Sequence, residues 1–481
     1  MRKTLILRLS LLALIYFLAG SVVQGQITFQ QIYPCTHDQS SRDVIETSDG
    51  GYLIAGMTET TIPGDTDIIV LKTDYLGDTM WVRIFGGSQP DFPYSIVPTS
   101  DNNFFIAGYT GSYGSGGNDA WLLKIDPMGN LLWSNTYGGT GNDEVKEIIA
   151  TSDGNYMMVG RSNSSGAWYY DGWLLKINLA GTVLMSKYYG GAQYETTRSV
   201  KECPDGGYVL TGQTMSYGQG AGDIYLIRTN STGDTLWTRT YGGTGIDDGN
   251  FIVCNSDTSF VIVAETESYG AGMMDVQVLK TDKNGTVVWN KFYGGNDKDV
   301  SKTIYPTTDG GYIVGAISRS FGWVDPDMWL LKLDAYGDTT WTRHYGSWDH
   351  EHCHHARQTS DGGYMAVGHT KSYGPNPRIM FLKLNSNGLP GPTAIDELSE
   401  NNLLKVYPNP SNGVVQVEMN GVPRASSYKI CNAIGEVIAS GNFGDMNSHT
   451  KSIDLTGKNP GIYMLCILSE GELRIRKFVL N

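Results

Sequence analysis

Histidines are concentrated in one short segment of this 481-residue chain. Four of the eight fall within residues 349–355, as His350, His352, His354 and His355. Alternate residues of an extended strand point the same way, so His350, His352 and His354 would share one side. Imidazole nitrogens suit Zn²⁺, Cu²⁺ or Ni²⁺. The segment predicts a divalent transition-metal site, although its spacing matches no established metal motif. The alternative is a polar surface loop that binds metal adventitiously.

Catalytic motifs are absent from the sequence. It contains no Gly-x-Ser-x-Gly elbow, no phosphate-binding loop and no Cys-x-x-Cys pair. A sialidase-type mechanism needs several arginines converging on one site. Only Arg42, Arg198 and Arg357 fall near the predicted first strand of a sequence repeat. No catalytic residue is assigned.

An aspartate-led turn returns every 52 residues, first as Asp49-Gly50-Gly51-Tyr52. The seven aspartates are Asp49, Asp101, Asp153, Asp205, Asp257, Asp309 and Asp361. A fixed period of about 40–50 residues is typical of propellers or solenoids. The turns resemble the Asp-box turn of sialidase-like propellers, which implies a structural role for the carboxylate.

Each repeat predicts four short strands and no helix. In the third copy they cover residues 146–151, 156–162, 172–178 and 183–189, with Asp- or Gly-containing turns between them. Four antiparallel strands form one propeller blade, whereas a solenoid needs a parallel stack. We therefore predict an all-β fold, a seven-bladed β-propeller followed by a small β-sandwich.

The N-terminal residues 27–33 are predicted to close the ring. No fourth strand follows the last third strand, residues 381–385, but a 52-residue step back from Trp81 reaches Phe29. Pairing residues 27–33 with the last blade removes two exposed sheet edges. The propeller then spans residues 26–389.

The repeat alignment extends the histidine cluster. It places residues 349–355 in the loop that enters the last blade, near His369 of the same blade and His37 of the first blade. The predicted metal ligands are His350, His352, His354, His369 and His37. The alignment also places Cys203 and Cys254 side by side on neighbouring blades, where a disulfide is plausible; the other cysteines cannot be paired from sequence.

Three further positions recur in the repeats. One acidic set follows a Gly-Gly pair: Asp91, Asp143, Glu195, Asp247, Asp299 and Glu351. Another opens the third strand: Asp67, Asp119, Asp171, Asp223, Asp275 and Asp327. We expect these carboxylates to accept N–H bonds from their own loops; the alternative is an acidic rim that binds cations. A small residue on each second strand suggests close sheet-on-sheet approach.

The first 25 residues are typical of a secretory signal peptide. Basic Arg2 and Lys3 precede an apolar run from Leu9 to Val23, with cleavage expected before Gln26. An uncleaved anchor is the alternative, and no transmembrane helix is expected in the mature chain. The net charge of −14 argues against binding to nucleic acid or anionic lipid. We expect a monomer.

A Pro/Gly linker, residues 390–394, leads to a second domain, residues 395–481. Its predicted strands cover residues 403–407, 414–419, 428–432, 437–440, 462–468 and 474–480. Three motifs follow in order: Val406-Tyr407-Pro408-Asn409-Pro410 with Gly413, Asn432-Ala433-Ile434-Gly435, and Pro460-Gly461-Ile462-Tyr463.

These motifs resemble the type A sorting domain of the Bacteroidetes type IX secretion system, with Asn432 in place of the usual Asp. The resemblance implies export across the outer membrane by the type IX machinery and removal of the domain by a sortase-like peptidase. Release, or attachment to surface lipopolysaccharide, would follow. In this context Asp78-Thr79-Met80 and Asp234-Thr235-Leu236 fit an O-glycosylation sequon. The repeats resemble secreted bacterial propellers without an agreed activity.

The sequence as a whole predicts a secreted or cell-surface binding or adhesion propeller. Its ligand would be a glycan, a protein or a surface polymer. The alternative is a glycan-acting hydrolase or lyase with its site at the channel mouth.

Overall fold

The computed structural model describes residues 26–62, 64–166, 168–321, 325–347, 349–390, 404–419, 427–432, 437–442, 450–469 and 472–481. The predicted signal peptide and most of the predicted linker lie outside this range. All the regular elements in the described ranges are strands. Within them, no helix is long and apolar enough to cross a membrane.

Seven four-stranded antiparallel sheets form the blades, and the first six are each built from four consecutive strands. The first strands are Gln39–Glu46, Asp91–Pro98, Asp143–Ala150, Glu195–Glu202, Asp247–Cys254, Asp299–Pro306 and Glu351–Gln358. The second strands are Tyr52–Glu59, Phe104–Thr110, Tyr156–Ser162, Tyr208–Thr214, Phe260–Thr266, Tyr312–Ser318 and Tyr364–Thr370. The third strands are Thr66–Thr73, Asp119–Ile125, Asp171–Ile177, Asp223–Thr229, Asp275–Thr281, Asp327–Leu333 and Arg378–Leu384. The fourth strands of blades 1 to 6 are Thr79–Phe85, Leu131–Tyr137, Val183–Tyr189, Thr235–Tyr241, Val287–Tyr293 and Thr339–Tyr345.

The fourth strand of blade 7 comes from the N-terminus, as predicted. Phe29–Ile32 pairs antiparallel with Arg378–Leu384, from Phe29 opposite Lys383 to Ile32 opposite Met380. The seven-bladed ring is therefore closed by strands from both ends of the propeller.

A tyrosine on the fourth strand ties each of six blades to the next. The Tyr189 hydroxyl donates to the carbonyl of Gly233 at 2.6 Å. Tyr33 repeats this bond across the closure, donating to Gly77 of blade 1 at 2.9 Å. The other four pairs are Tyr137 with Gly181, Tyr241 with Gly285, Tyr293 with Gly337 and Tyr345 with Gly388.

The periodic tryptophans pack on turn glycines of the following blade. At Gly129, with φ of +79°, an added Cβ would lie 2.7 Å from the Trp81 ring. Phe29 occupies the equivalent place over Gly77 at the closure, where the corresponding distance is also 2.7 Å. This contact explains why a 52-residue step from Trp81 reaches an aromatic residue in the N-terminal strand.

Six of the seven aspartate-led turns are held by a cation from their own blade. Asp309 accepts hydrogen bonds from Thr307 Oγ1 at 2.5 Å and from Gly311 N at 3.1 Å, and pairs with Lys332 Nζ at 2.9 Å. The matching pairs are Asp49–Lys72, Asp101–Lys124, Asp153–Lys176, Asp205–Arg228 and Asp361–Lys383. These contacts fit the structural role that the resemblance implied.

The C-terminal strands form two small sheets that share one core. One sheet contains Leu404–Tyr407, Val414–Met419 and Thr450–Asp454; the other contains Val437–Asn442, Ser427–Asn432, Gly461–Ser469 and Glu472–Leu480. Val415, Val417 and Ile453 belong to the same buried cluster as Ile430 and Phe478. Thr450–Asp454 was not among the predicted strands, because a single buried isoleucine in five residues gives almost no period-two signal.

Candidate functional site

Every first strand carries a β-bulge at the same position. The pairing with the second strand shifts register there in all seven blades. A bulge leaves one residue without a partner and redirects its side chain. The seven bulge residues, here called the bulge ring, are Arg42, Tyr94, Lys146, Arg198, Asn250, Lys302 and His354.

The bulge also explains the small residue on each second strand. A Cβ on Gly368 would overlap the carbonyl oxygen of His352, on the first strand of the same blade. The expectation of close approach between neighbouring sheets was therefore wrong, because the close contact lies within one blade. Ala264 and Ala316 show that two blades accommodate a methyl group at this position.

All seven members of the bulge ring line one cavity of about 280 Å³, bounded by the first strands of every blade. Four members are cationic, in a chain whose overall charge is −14. Three of the four have a carboxylate partner: Lys146 with Glu144 at 2.8 Å, Arg198 with Asp248 at 2.5 Å, and Lys302 with Glu265 at 3.5 Å.

Arg42 is the exception in this cavity. It forms no ion pair with a carboxylate in the described part of the chain. Its Nη1 lies 3.1 Å from His354 Nδ1, its Nη2 lies 3.7 Å from the Met57 sulfur, and its Nε is buried without a partner. Burial accordingly lowers the pKa of the guanidinium. An unpaired buried cation is costly unless a ligand compensates for it.

Three of the five predicted metal ligands come together beside Arg42. Ring nitrogens of His352, His354 and His369 all lie within 4.8 Å of one another. His352 and His369 are directly opposite each other on adjacent strands, and His354 is the bulge residue of the same blade. His354 Nε2 lies 3.3 Å from His369 Nδ1, which is also 3.0 Å from the Ser40 hydroxyl. Burial lowers the pKa of His352 to about 4 and that of His369 to about 3, so both imidazoles are neutral near pH 7.

The other two predicted ligands are not part of this group, although the His350 ring lies 6.4 Å from that of His352, centroid to centroid. His37 contacts the neighbouring Thr36 hydroxyl through Nδ1 at 3.0 Å. His350 belongs to a separate group with Asp349, 2.6 Å from its Nδ1, and Asp325, 3.5 Å from its Nε2. The structure therefore reduces the predicted five-histidine set to a cluster of three.

The recurring acidic residues cap their own loops. Asp143, fully buried, accepts bonds from Gly139 N at 2.9 Å and Ser164 Oγ at 2.6 Å. Asp119 accepts two N–H bonds at 3.0 Å from the loop before it. The expectation of bonding within each blade is confirmed at these positions, and carboxylates buried in this way do not form an exposed acidic rim.

The bulge ring as a whole was not predicted from the sequence, although Arg42, Arg198 and His354 were each noted there. Comparison of repeats detects residues that stay the same, whereas this position differs between most blades. A 52-residue step back from His354 reaches Lys302, then Asn250, and continues to Arg42. The signal was therefore present, as a position that varies inside an otherwise regular repeat.

Cys203 and Cys254 are adjacent as predicted, with their sulfur atoms 3.1 Å apart as free thiols. They lie at the junction of blades 4 and 5, away from the bulge ring. The pairing of these two cysteines remains a prediction.

The residues of the sorting motif hold the C-terminal sandwich together. Asn409 Oδ1 accepts a bond from Val479 N at 2.8 Å, and Gly413 has a φ of +125°. Tyr463 is buried, and its hydroxyl donates to the Asn459 carbonyl at 2.6 Å. Gly435 lies outside the described residues.

Comparisons with known proteins match both the C-terminal part of the chain and the propeller. Residues 405–481 match the family described as the secretion system C-terminal sorting domain. Regulatory protein FlaEY of Caulobacter vibrioides is 22% identical over 355 residues, which are 60% of this chain and 37% of that protein. The chain thus spans little more than a third of that relative's length.

Solved propeller structures are similar at low sequence identity. The β-propeller domain of the Trilobed protease from Pyrococcus furiosus has a TM-score of 0.42 and 9% identity, covering 72% of this chain and 93% of that chain. The α-L-arabinofuranosidase Arb93A from Fusarium graminearum has a TM-score of 0.41 and 11% identity, covering 74% and 97%. Neither likeness carries a conclusion about activity. The sorting domain and the ring of blades identify the chain as a β-propeller protein with a type IX secretion system sorting domain, secreted or attached to the outer membrane at the cell surface.

Proposed function

We propose that the propeller is an exported binding module that holds an acidic glycan at the mouth of its channel. The observation that carries the proposal is the bulge ring, with four cations around one cavity and the buried guanidinium of Arg42 lacking a carboxylate partner. A carboxylate or sulfate group of a ligand would supply that partner through paired N–H donors.

Aromatic side chains on the same face support a glycan as the ligand. Tyr113, Tyr217 and Tyr269 follow the second strands, which end at the face where His369 lies, and each is about half exposed. Their hydroxyls donate to glycine carbonyls at 2.7–3.0 Å, which fixes the rings in place. Amphipathic rings of this kind offer large contact area to a partly apolar sugar face at little cost in entropy.

Two carboxylates, Asp43 in the lining of the channel and Glu144 beside Lys146, favour binding over hydrolysis. A glycosidase needs a carboxylic acid whose pKa is raised, so that it can protonate the leaving oxygen. The pKa of Asp43 is lowered: burial alone would raise it, but His355, 2.8 Å away, and Arg357 more than reverse the effect. The pKa of Glu144 is lowered in the same way, with Lys146 and Arg161 opposing its burial. Neither group suits the role of a general acid.

The test is an array of glycans presented to the chain without its predicted signal peptide, residues 26–481. Polyuronates and sulfated polysaccharides should bind, neutral polysaccharides should not, and affinity should fall as salt is raised. Arg42→Gln combined with Lys302→Gln should weaken binding by at least about tenfold. Lys187→Gln is the matched control, because Lys187 pairs with Asp234 on the outer strands, away from the channel.

Equal binding of neutral polysaccharides, or an unchanged affinity in the double variant, would overturn the proposal. Cleavage of a bound glycan that is lost in Glu144→Gln would instead establish the hydrolase or lyase alternative.

A further inference from the structure

We propose that His352, His354 and His369 bind one divalent transition metal ion, with Zn²⁺ as the reference ion, and that Arg42 competes with the metal for His354. This inference is independent of the proposed glycan binding. It rests on three imidazoles gathered on two strands of one blade.

The spacing of the nitrogens suits tetrahedral coordination. Zinc binds imidazole nitrogen at about 2.0–2.1 Å, so two such ligands on one tetrahedral ion are about 3.3–3.4 Å apart. His354 Nε2 and His369 Nδ1 are separated by 3.3 Å. The His352 ring lies 4.6 Å from the His369 ring, centroid to centroid, and one of its nitrogens lies within 4.8 Å of the other two ligand atoms, which makes a three-nitrogen set. A fourth position stays open, as in zinc sites with three protein ligands.

The strands that carry these residues make the arrangement rigid. His352 and His369 occupy paired positions in a regular ladder, and His354 is directed by the bulge that every blade contains. Metal ligands on loops usually become ordered only when the ion binds, whereas the backbone positions of these three histidines are already set by the sheet.

Arg42 opposes the metal through proton placement. A guanidinium has only N–H donors, so the contact of Arg42 Nη1 with His354 Nδ1 makes Nδ1 an acceptor. The neutral imidazole then carries its proton on Nε2, the nitrogen that faces His369. Coordination through Nε2 requires the proton to move to Nδ1 and the Arg42 contact to break. The positive charge of Arg42 adds repulsion against an incoming cation.

Competition between Arg42 and the metal ion for His354 predicts that a variant of Arg42 binds Zn²⁺ more tightly than the wild-type chain. Arg42→Met should raise Zn²⁺ affinity, by about tenfold, because it removes both the hydrogen bond and the charge. His352→Ala with His354→Ala should abolish the site. His37→Ala should leave the affinity unchanged, since His37 is bonded to Thr36 outside the cluster.

The experiment is titration calorimetry of ZnSO₄ into the chelator-treated chain without its predicted signal peptide, residues 26–481. One site per chain with a Kd below about 10 μM is expected. Visible absorption of the Co²⁺-loaded wild-type chain gives a second measurement that needs no variant, and an intense tetrahedral spectrum is expected. Wild-type affinity weaker than about 100 μM, or equal affinity in the double-histidine variant, would leave only an adventitious surface interaction. A lower affinity in Arg42→Met would refute the role of Arg42 as a competitor.

Discussion

Removing the closing contact of Tyr33 should destabilise the whole ring. Tyr33 is 7% exposed, and its hydroxyl donates to Gly77 of blade 1 at 2.9 Å. Loss of a buried aromatic ring together with its hydrogen bond costs about 3–5 kcal/mol in the free energy of unfolding. Tyr33→Ala should therefore lower stability by that amount.

Tyr189 provides a matched control inside the chain. It is 6% exposed, and its hydroxyl donates to Gly233 at 2.6 Å, from blade 3 to blade 4. Tyr189→Ala removes the same contacts between two blades that remain covalently connected. If the closure is an interface like the others, the two variants should cost the same within about 1 kcal/mol.

Deleting residues 26–33 should cost more than either point variant. The deletion also removes the Phe29–Ile32 strand and the Phe29 ring, whose centroid lies 5.1 Å from that of Phe381. The deletion should lower the free energy of unfolding by more than about 5 kcal/mol, which approaches the whole stability of many domains. Blades 1 and 7 should therefore separate. The edges left unpaired would also promote aggregation.

The assay is equilibrium urea denaturation followed by tryptophan fluorescence. All 11 tryptophans lie between Trp81 and Trp348, so the signal reports the propeller and not the C-terminal sandwich. A cost below about 1 kcal/mol for Tyr33→Ala, with about 3–5 kcal/mol for Tyr189→Ala, would refute closure as a source of stability.

Three further predictions concern acid stability, oxidation and export. Burial alone would raise the pKa of Asp309, but hydrogen bonds from Thr307 and Lys332 lower it to about 2. The contribution of Asp309 to the free energy of unfolding is therefore present above about pH 4 and is lost as the pH falls toward 2. Lys332→Met should flatten that part of the stability-against-pH curve by less than about 1 kcal/mol, since the Asp309 side chain is largely exposed; an unaltered curve would contradict this. Oxidised glutathione should join Cys203 and Cys254, which are 51 residues apart. The two thiols each lose one hydrogen and form a disulfide, and the oxidised glutathione is reduced to two molecules of glutathione. The urea midpoint should rise by the equivalent of up to about 4 kcal/mol, and Cys203→Ser should not respond. A chain ending at residue 392 should fold as a ring but stay in the periplasm of its native host. Protease treatment of intact cells measures this, and normal exposure of the shortened chain at the cell surface would disprove the sorting role.

Local patterns predicted most of the fold. Period-two alternation and Asp-Gly turns depend on a few adjacent residues, so they located the four strands of every blade. The step from Trp81 to Phe29 predicted the closure, because both aromatic rings cover equivalent turn glycines. Thr450–Asp454 was not predicted, because Ile453 is its only residue in the buried core.

The sequence by itself determined the number of blades, the closing strand and the export domain, because each depends on residues repeated or adjacent along the chain. Only the tertiary structure decided what lines the channel. The members of the bulge ring are spaced 52 residues apart in sequence. Arg42 contacts His354, which is 312 residues away along the chain. Such a contact exists only once the ring is closed. For the same reason, the distinction between the three clustered histidines and the isolated His37 depends on strand register and on the packing of blade 7 against blade 1.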